Sequence, residues 1–337
     1  MPLKFLLFAI LGSLSIAARA AEGDLLKRDD VRAFISTMVE RHGFDARELD
    51  SVFDRVRISG SILEAIAKPA EALPWHRYRS IFVRPDRVRS GVEFWRRHAV
   101  ALRRAEETYG VSQAVIVAII GVETRYGRSQ GQHKVIDSLV TLAFEYPKRA
   151  DFFRGELEQF LLLTREQGVD PHAIRGSYAG AMGIPQFISS SYRHYAVDFD
   201  IDGLTDIWDN PTDAIGSVAN YFREHGWLAG GLVTLPIGAP DGEVEGLIGE
   251  GLEPITPMEI FEQMGIETPI KVPGGEKAKL LELEGENGKE YWLGFWNFYV
   301  ITRYNNSLLY AMAVFQLAEQ IRTAHGDAIA LIKGDRG

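Results

Sequence analysis

The 337-residue sequence carries 37 Lys and Arg against 46 Asp and Glu, a formal net charge of −9, and it has no Cys. That charge argues against nucleic acid as a partner, because such binding rests on clustered cationic side chains. The missing Cys excludes disulfides, thiolate metal sites and thiol nucleophiles, and with 46% hydrophobic and 25% charged residues the remainder reads as ordinary globular protein.

At the N-terminus Lys4 precedes the apolar run Phe5 to Ile10, and a small-residue stretch ends Ala18-Arg19-Ala20 before Ala21. Basic, apolar and Ala-x-Ala segments in that order predict a signal peptide over 1–20, cleaved after Ala20. A lipoprotein needs a Cys at the cleavage point, so the expected product is a soluble periplasmic protein without a lipid anchor. No other stretch approaches the roughly 20 apolar residues that span a bilayer.

From Lys27 to about Tyr109 apolar residues recur at three- and four-residue spacing (Val31, Phe34, Ile35, Met38, Val39), with turns expected at Gly43, Pro69 and Pro85. Gly110 closes one helix and Ser112 can cap the next, Gln113 to Glu123, which is apolar almost all round and therefore belongs in the centre of a domain. Further helices are predicted over Pro147 to Thr164 and Ser189 to Ala196, over Thr212 to His225 with Gly226 as stop, and over Ser307 to Ala324 with Gly326 as stop. Between Leu232 and Leu293 Gly and Pro become frequent. There Lys279 to Glu284 and Glu290 to Leu293 predict a hairpin about an Asn287-Gly288 turn, hence a small β-rich insertion in a helical body.

Glu123 ends the most hydrophobic helix. Burial disfavours the charged carboxylate and raises its pKa toward the range of a general acid. From this helix alone a structural ion pair with Arg125 or another Arg is an equal reading. The second chemically suggestive stretch is Gly176-Ser-Tyr-Ala-Gly-Ala-Met-Gly-Ile-Pro-Gln-Phe187. Its glycines permit close backbone approach to a ligand, while Ser177, Gln186 and Phe187 offer a hydroxyl, an amide and an apolar platform. Without a Walker lysine it is no phosphate loop. Tyr78, Tyr221, Tyr304 and Tyr310 are candidates for stacking on sugar rings, although each taken singly is more often a core residue.

From about Trp75 to Ala324 the chain resembles the lytic murein transglycosylases of the B type, within the lysozyme-like superfamily. The resemblance is carried by Gly121-Val-Glu-Thr-Arg-Tyr-Gly127, Tyr146-Pro-Lys-Arg149, Gly176 to Gly183, Pro185-Gln-Phe187, Asp213 to Phe222 and Ile301-Thr-Arg-Tyr-Asn305. It implies a mainly α (α+β) fold and an enzyme that cleaves the MurNAc–GlcNAc β-1,4 bond of peptidoglycan without water, leaving 1,6-anhydroMurNAc ends. Glu123 would be the only catalytic carboxylate, acid first and base second, where ordinary glycosidases use two. By motif position Ser177 would contact the acetamido group, and Met182, Gln186, Phe187 and Tyr221 would line the cleft. Tyr78, Tyr304 and Tyr310 would surround Glu123, and Lys148, Arg149 and Asn305 would meet the stem peptide. Lys148 departs from the Arg-Arg pair of some members and offers a point charge in place of a fork.

The implied layout is an N-terminal helical domain over 21–93 and a lysozyme-like catalytic core over 94–231. A β-rich subdomain over 232–296, a return to the core over 297–326 and a tail over 327–337 complete it. Expected partners are glycan strands with stem peptides, and cell-wall synthesis enzymes are candidates. No catalytic cofactor is implied.

Within the core, Asp198-Phe-Asp200-Ile-Asp202-Gly203-Leu204 follows EF-hand order, with carboxylates at positions 1, 3 and 5, Gly at 6 and a backbone carbonyl at 7. This predicts a structural Ca²⁺ site. Asp209 stands where a bidentate Glu usually closes the loop and is one methylene shorter. The resemblance implies an extended loop over 198–213 closed by Asp213, with Asp209 as the alternative. Two rival functions remain: a muramidase that hydrolyses the same bond with water, and a non-catalytic peptidoglycan-binding scaffold.

Overall fold

The computed structural model describes residues 25–67, 73–240, 245–249 and 251–334; the expected signal peptide and the Pro69 turn lie outside the described residues. The chain opens with helices α1 (Asp29–His42), α2 (Ala46–Asp54), α3 (Gly60–Ile66), α4 (Trp75–Phe82), α5 (Pro85–Arg97) and α6 (Ala99–Tyr109). Then come α7 (Gln113–Thr124), β1 (His133–Lys134), α8 (Val135–Glu145), α9 (Ala150–Glu166), β2 (Arg175–Gly176), α10 (Ser189–Tyr195) and α11 (Pro211–Glu224). The β-rich part holds β3 (Thr234–Ile237), α12 (Glu245–Ile248), β4 (Thr256–Pro257), α13 (Met258–Gln263), β5 (Lys277–Gly285) and β6 (Gly288–Gly294). Helices α14 (Trp296–Tyr304) and α15 (Leu308–Gly334) return to the body.

Helix α7 is the hub. Every residue from Ala114 to Val122 is buried, and it packs against α5, α6, α11 and α15. Its Val and Ile side chains, at about 1.5–3 kcal/mol per fully buried chain, make this helix a main source of the hydrophobic driving force. A second apolar cluster joins α1, α2 and α3 to α8 and α9. By contrast α4 and α5, expected within the N-terminal helical domain, bury Trp75, Tyr78, Val88 and Val92 in the α7 cluster. A third, smaller core lies under the antiparallel sheet β3-β6-β5-β4.

Several local expectations are corrected. Ser112 sits at the N-cap of α7 but its side chain makes no capping bond. Pro85 starts α5 as its first residue, where a missing N–H costs nothing. Gly326 does not stop the last helix, which runs to Gly334; a single Gly costs only about 1 kcal/mol, and the following Ala-Ile-Ala-Leu sequence favours continuation. The hairpin turn centres on Glu286 and Asn287, because Gly285 pairs with Gly288. Among the described residues no single helix is long and apolar enough to cross a membrane.

Candidate active site

Glu123 is the penultimate residue of α7, and the turn that follows is unusual. Arg125 (φ 51°) and Tyr126 (φ 63°) are consecutive non-glycine residues in the left-handed region, followed by Gly127 (φ 83°), a conformation that must be held by its surroundings. Thr124 donates its hydroxyl to the Ile184 carbonyl at 2.8 Å and accepts from the Gly127 N–H at 3.0 Å. The Tyr126 hydroxyl donates to the Arg87 carbonyl at 2.8 Å, and buried Arg87 donates to the Gly121 carbonyl at 2.8 Å. A Cβ on Gly121 would lie 2.6 Å from the Tyr126 hydroxyl, so Gly121 makes the slot for that ring.

The Glu123 carboxyl group accepts a hydrogen bond of 2.5 Å from the Tyr310 hydroxyl, which α15 brings across the core. Burial pushes the carboxyl up to about 7, and the Tyr310 hydroxyl opposes that shift by favouring the charged form. Among the described residues no Lys or Arg pairs with Glu123 and no second carboxylate contributes to its shift. The ion-pair reading therefore has no partner. Tyr304 and Tyr310 are in turn raised well above the usual phenol range, first by burial and then by the neighbouring Glu123, and Tyr78 bears on Tyr310. Tyr304 from α14 and Tyr310 from α15 thus flank the carboxyl group, and Tyr78 from α4 stands beside Tyr310.

The glycine-rich segment forms the adjoining wall. Two of its glycines allow backbone to approach backbone: a Cβ on Gly176 would lie 2.2 Å from the Ala181 carbonyl oxygen, and one on Gly183 would lie 2.7 Å from that of Ile207, whereas one on Gly180 would meet the Leu139 side chain at 2.6 Å. The Ser177 hydroxyl accepts from the N–H groups of Ala179 (3.3 Å) and Ala181 (3.0 Å), which leaves its own hydrogen to donate. Met182 and Phe187 pair through backbone bonds of 2.8 and 3.0 Å and are 0% and 2% exposed. Both side chains are packed in the second apolar cluster, behind the wall. Gln186 (φ 54°) spends its amide nitrogen on the carbonyls of Gln130 and Gly183. Phe187 and Tyr221 lie against Tyr304, with ring centroids 6.0 and 4.8 Å away. Tyr304 donates to the Pro185 carbonyl and Tyr221 to that of Arg303, each at 2.5 Å.

Lys148 and Arg149 are exposed on a short 3-10 turn between α8 and α9, with no ion-pair partner among the described residues. Asn305 caps α14 and is half-buried. No hydrogen bond or ring contact joins these three side chains to the Glu123 group. In the acidic loop, carboxylate oxygens of Asp198, Asp200 and Asp202 lie within 4.8 Å of one another. Gly203 takes φ 94°, and Leu204, whose carbonyl is the expected ligand, is exposed. Asp209 is exposed and outside the cluster. Asp213 is 0% exposed and accepts from the N–H groups of Phe199 (2.7 Å) and Asp206 (2.8 Å), so it braces the loop from beneath.

Arg87, Thr124, Tyr126 and Gln130 also hold the site, beyond the residues expected from sequence. Thr124 and Tyr126 sit inside the Glu123 motif, whereas nothing in the pattern marks Arg87 or Gln130.

A mainly helical, lysozyme-like body with a desolvated carboxyl group at the end of its central helix defines a class of glycan-cleaving enzymes, and the comparisons agree. The transglycosylase SLT domain family matches residues 27–319, and the chain belongs to it. It is 42% identical over 312 residues to the membrane-bound lytic murein transglycosylase B of Escherichia coli (strain K12), covering 90% of this chain and 85% of that one. Soluble lytic transglycosylase SltB1 from Pseudomonas aeruginosa is 49% identical, with a TM-score of 0.83 over 88% of this chain and 99% of that one. The E. coli lytic transglycosylase Slt35, solved in complex with calcium, is 43% identical, with a TM-score of 0.81 over 90% and 96%.

Proposed function

We infer that this lytic transglycosylase cleaves the MurNAc–GlcNAc β-1,4 bond of peptidoglycan non-hydrolytically, with Glu123 as its sole acid and base. The observation that carries the reading is a carboxyl group at the end of the central helix, bonded to Tyr310 and lifted to about 7, with no second carboxylate among the described residues bearing on it. At neutral pH such a group is partly protonated and can give its proton to the glycosidic oxygen as the C–O bond breaks. The carboxylate so formed, steadied by the Tyr310 hydroxyl, then takes the proton of the muramic C6 hydroxyl. That oxygen bonds to C1 and closes the 1,6-anhydro ring. The proton returns to Glu123, and no water is consumed.

Ser177, with its hydrogen unspent, would donate to the substrate acetamido oxygen. Tyr78, Tyr221, Tyr304 and Gln186 would shape the cleft, and the exposed charges of Lys148 and Arg149, with Asn305, would meet stem-peptide carboxylates. Mass analysis of digested peptidoglycan tests the reaction. Products one water lighter than reducing-end fragments are expected, whereas reducing ends would establish hydrolysis. The sequence features of residues 1–20 support export to the periplasm.

The acidic loop fits a structural Ca²⁺. Three clustered carboxylates offer hard oxygen ligands, and buried Asp213 has no side-chain cation among the described residues, a costly arrangement that a bound cation would offset. Asp198, Asp200, Asp202 and the Leu204 carbonyl would hold the ion, with Asp213 closing the loop. Saturating calcium is expected to raise the melting temperature by about 5–10 °C. Unchanged melting after chelation, with no bound metal, would rule the site out.

A further inference from the structure

Glu123 is presented by a turn whose backbone cannot hold its own shape, since Arg125 and Tyr126 both take left-handed conformations. Besides the bonds to Arg87 and within the turn itself, two routes lead from it to the acidic loop. The Thr124 hydroxyl reaches the Ile184 carbonyl at 2.8 Å, and the Ile184 N–H reaches the Ile207 carbonyl at 2.8 Å. In parallel the Gln130 side-chain amide donates to the Gly127 carbonyl at 3.3 Å and to the Trp208 carbonyl at 2.9 Å. The Gln130 main-chain carbonyl accepts from Gln186 at 3.1 Å. Ile207 and Trp208 belong to the acidic loop, directly after Asp206, whose N–H is held by Asp213 and whose carboxylate accepts the Trp208 N–H at 2.8 Å.

Gln130 is the only side chain among these that bonds the Glu123 turn and the acidic loop with one group. Both hydrogens of its amide are spent, one on each segment, and both acceptors are backbone carbonyls. A Glu at this position has the same shape but offers two oxygens to two carbonyl oxygens. An Ala removes the bridge and leaves the parallel Thr124 route intact.

We propose that Gln130 is a positioning residue that ties the turn carrying Glu123 to the acidic loop, so that order in the loop sets the geometry of the acid. The inference rests on Glu123 being that acid. Misplacing a reacting group by about 1 Å costs up to about 10²-fold in rate. The Gln130 side chain is not among the expected substrate contacts, and both substitutions keep the main-chain carbonyl that Gln186 uses, so the loss belongs in kcat and leaves KM unchanged. Two perturbations of one coupled path are also non-additive: once the bridge is cut, disorder in the loop has less left to disturb.

The test uses the full-length protein and its Gln130→Ala and Gln130→Glu variants on soluble uncrosslinked glycan strands, with and without calcium. Melting temperature and metal content are followed alongside the kinetics. We expect kcat to fall about 10- to 100-fold in both variants with KM within twofold and calcium still bound. Chelation should lower kcat in the wild type and much less in the variants, while lowering the melting temperature of all three. Wild-type kcat in the variants, or losses from substitution and chelation that simply multiply, would overturn the proposal, as would a loss of kcat matched by loss of folded protein. Glu123→Gln, run in parallel, separates the two readings. If that variant keeps activity the assignment of the acid fails; if it is inactive while Gln130→Ala is unimpaired, only the positioning role fails.

Discussion

Glu123→Gln is expected to remove about 10²- to 10⁴-fold of the glycan-cleaving rate, the usual contribution of a general acid–base group, while the protein stays folded. The replacement keeps the shape and still accepts the Tyr310 hydrogen bond, but it has no proton to give the glycosidic oxygen. The same carboxyl group sets the pH dependence. With its pKa near 7, wild-type activity should decline as the acid is lost above about pH 7. Tyr310→Phe, which removes the hydroxyl that favours the charged form, should move that decline to higher pH.

Stability provides an independent check on the same group. The folded-state pKa lies above the ordinary 4.5, so the protonated acid's contribution is fully present below about pH 4.5 and is lost as pH rises through 7. One pKa unit corresponds to about 1.4 kcal/mol, and the whole shift to about 3 kcal/mol. Glu123→Gln should therefore gain stability relative to the wild type by up to about 3 kcal/mol well above pH 7, with no such gain at pH 4. Equal denaturation midpoints at both pH values would show that Glu123 is not desolvated.

The second large effect is expected at Gly176, where β1 and β2 lead into the Ser177 loop. A Cβ there would sit 2.2 Å from the Ala181 carbonyl oxygen and 2.9 Å from a Val135 methyl, and the Gly131 backbone runs so near that a Cβ on Gly131 would lie 2.1 Å from the Gly176 carbonyl oxygen. Neither backbone neighbour can step aside as a flexible side chain would. Gly176→Ala should cost about 3 kcal/mol or more and lower the melting temperature by about 6–12 °C. It should also displace Ser177, whose hydroxyl closes the loop on Ala179 and Ala181. A melting curve superimposable on the wild type would show that the backbone has room the geometry denies.

The glycine pattern itself is legible in the sequence, but the close backbone approaches at Gly176 and Gly183 are not, because the partners Ala181 and Ile207 are set by the tertiary fold. The same division holds across the molecule. The all-apolar run of α7 predicts a buried central helix ending at Glu123, since no other placement hides so many Val and Ile side chains. The alternation of Asp198, Asp200 and Asp202 before Gly203 predicts their clustering, because that spacing is local. Helix ends governed by tertiary contacts were less readable, as the continuation of α15 beyond Gly326 illustrates.

By itself, the sequence determined the helical body, the inserted sheet, the family and the carboxyl group on which the chemistry centres, all of which follow from local periodicity and short motifs. Only the tertiary structure decided what that carboxyl group experiences. Tyr310 lies 187 positions away in the chain and yet donates to it; the bonds from the acidic loop reach the adjacent turn through Ile184 and Gln130. A pKa is set by what surrounds a group and by how much water is excluded, and those quantities exist only after residues far apart in sequence have packed together.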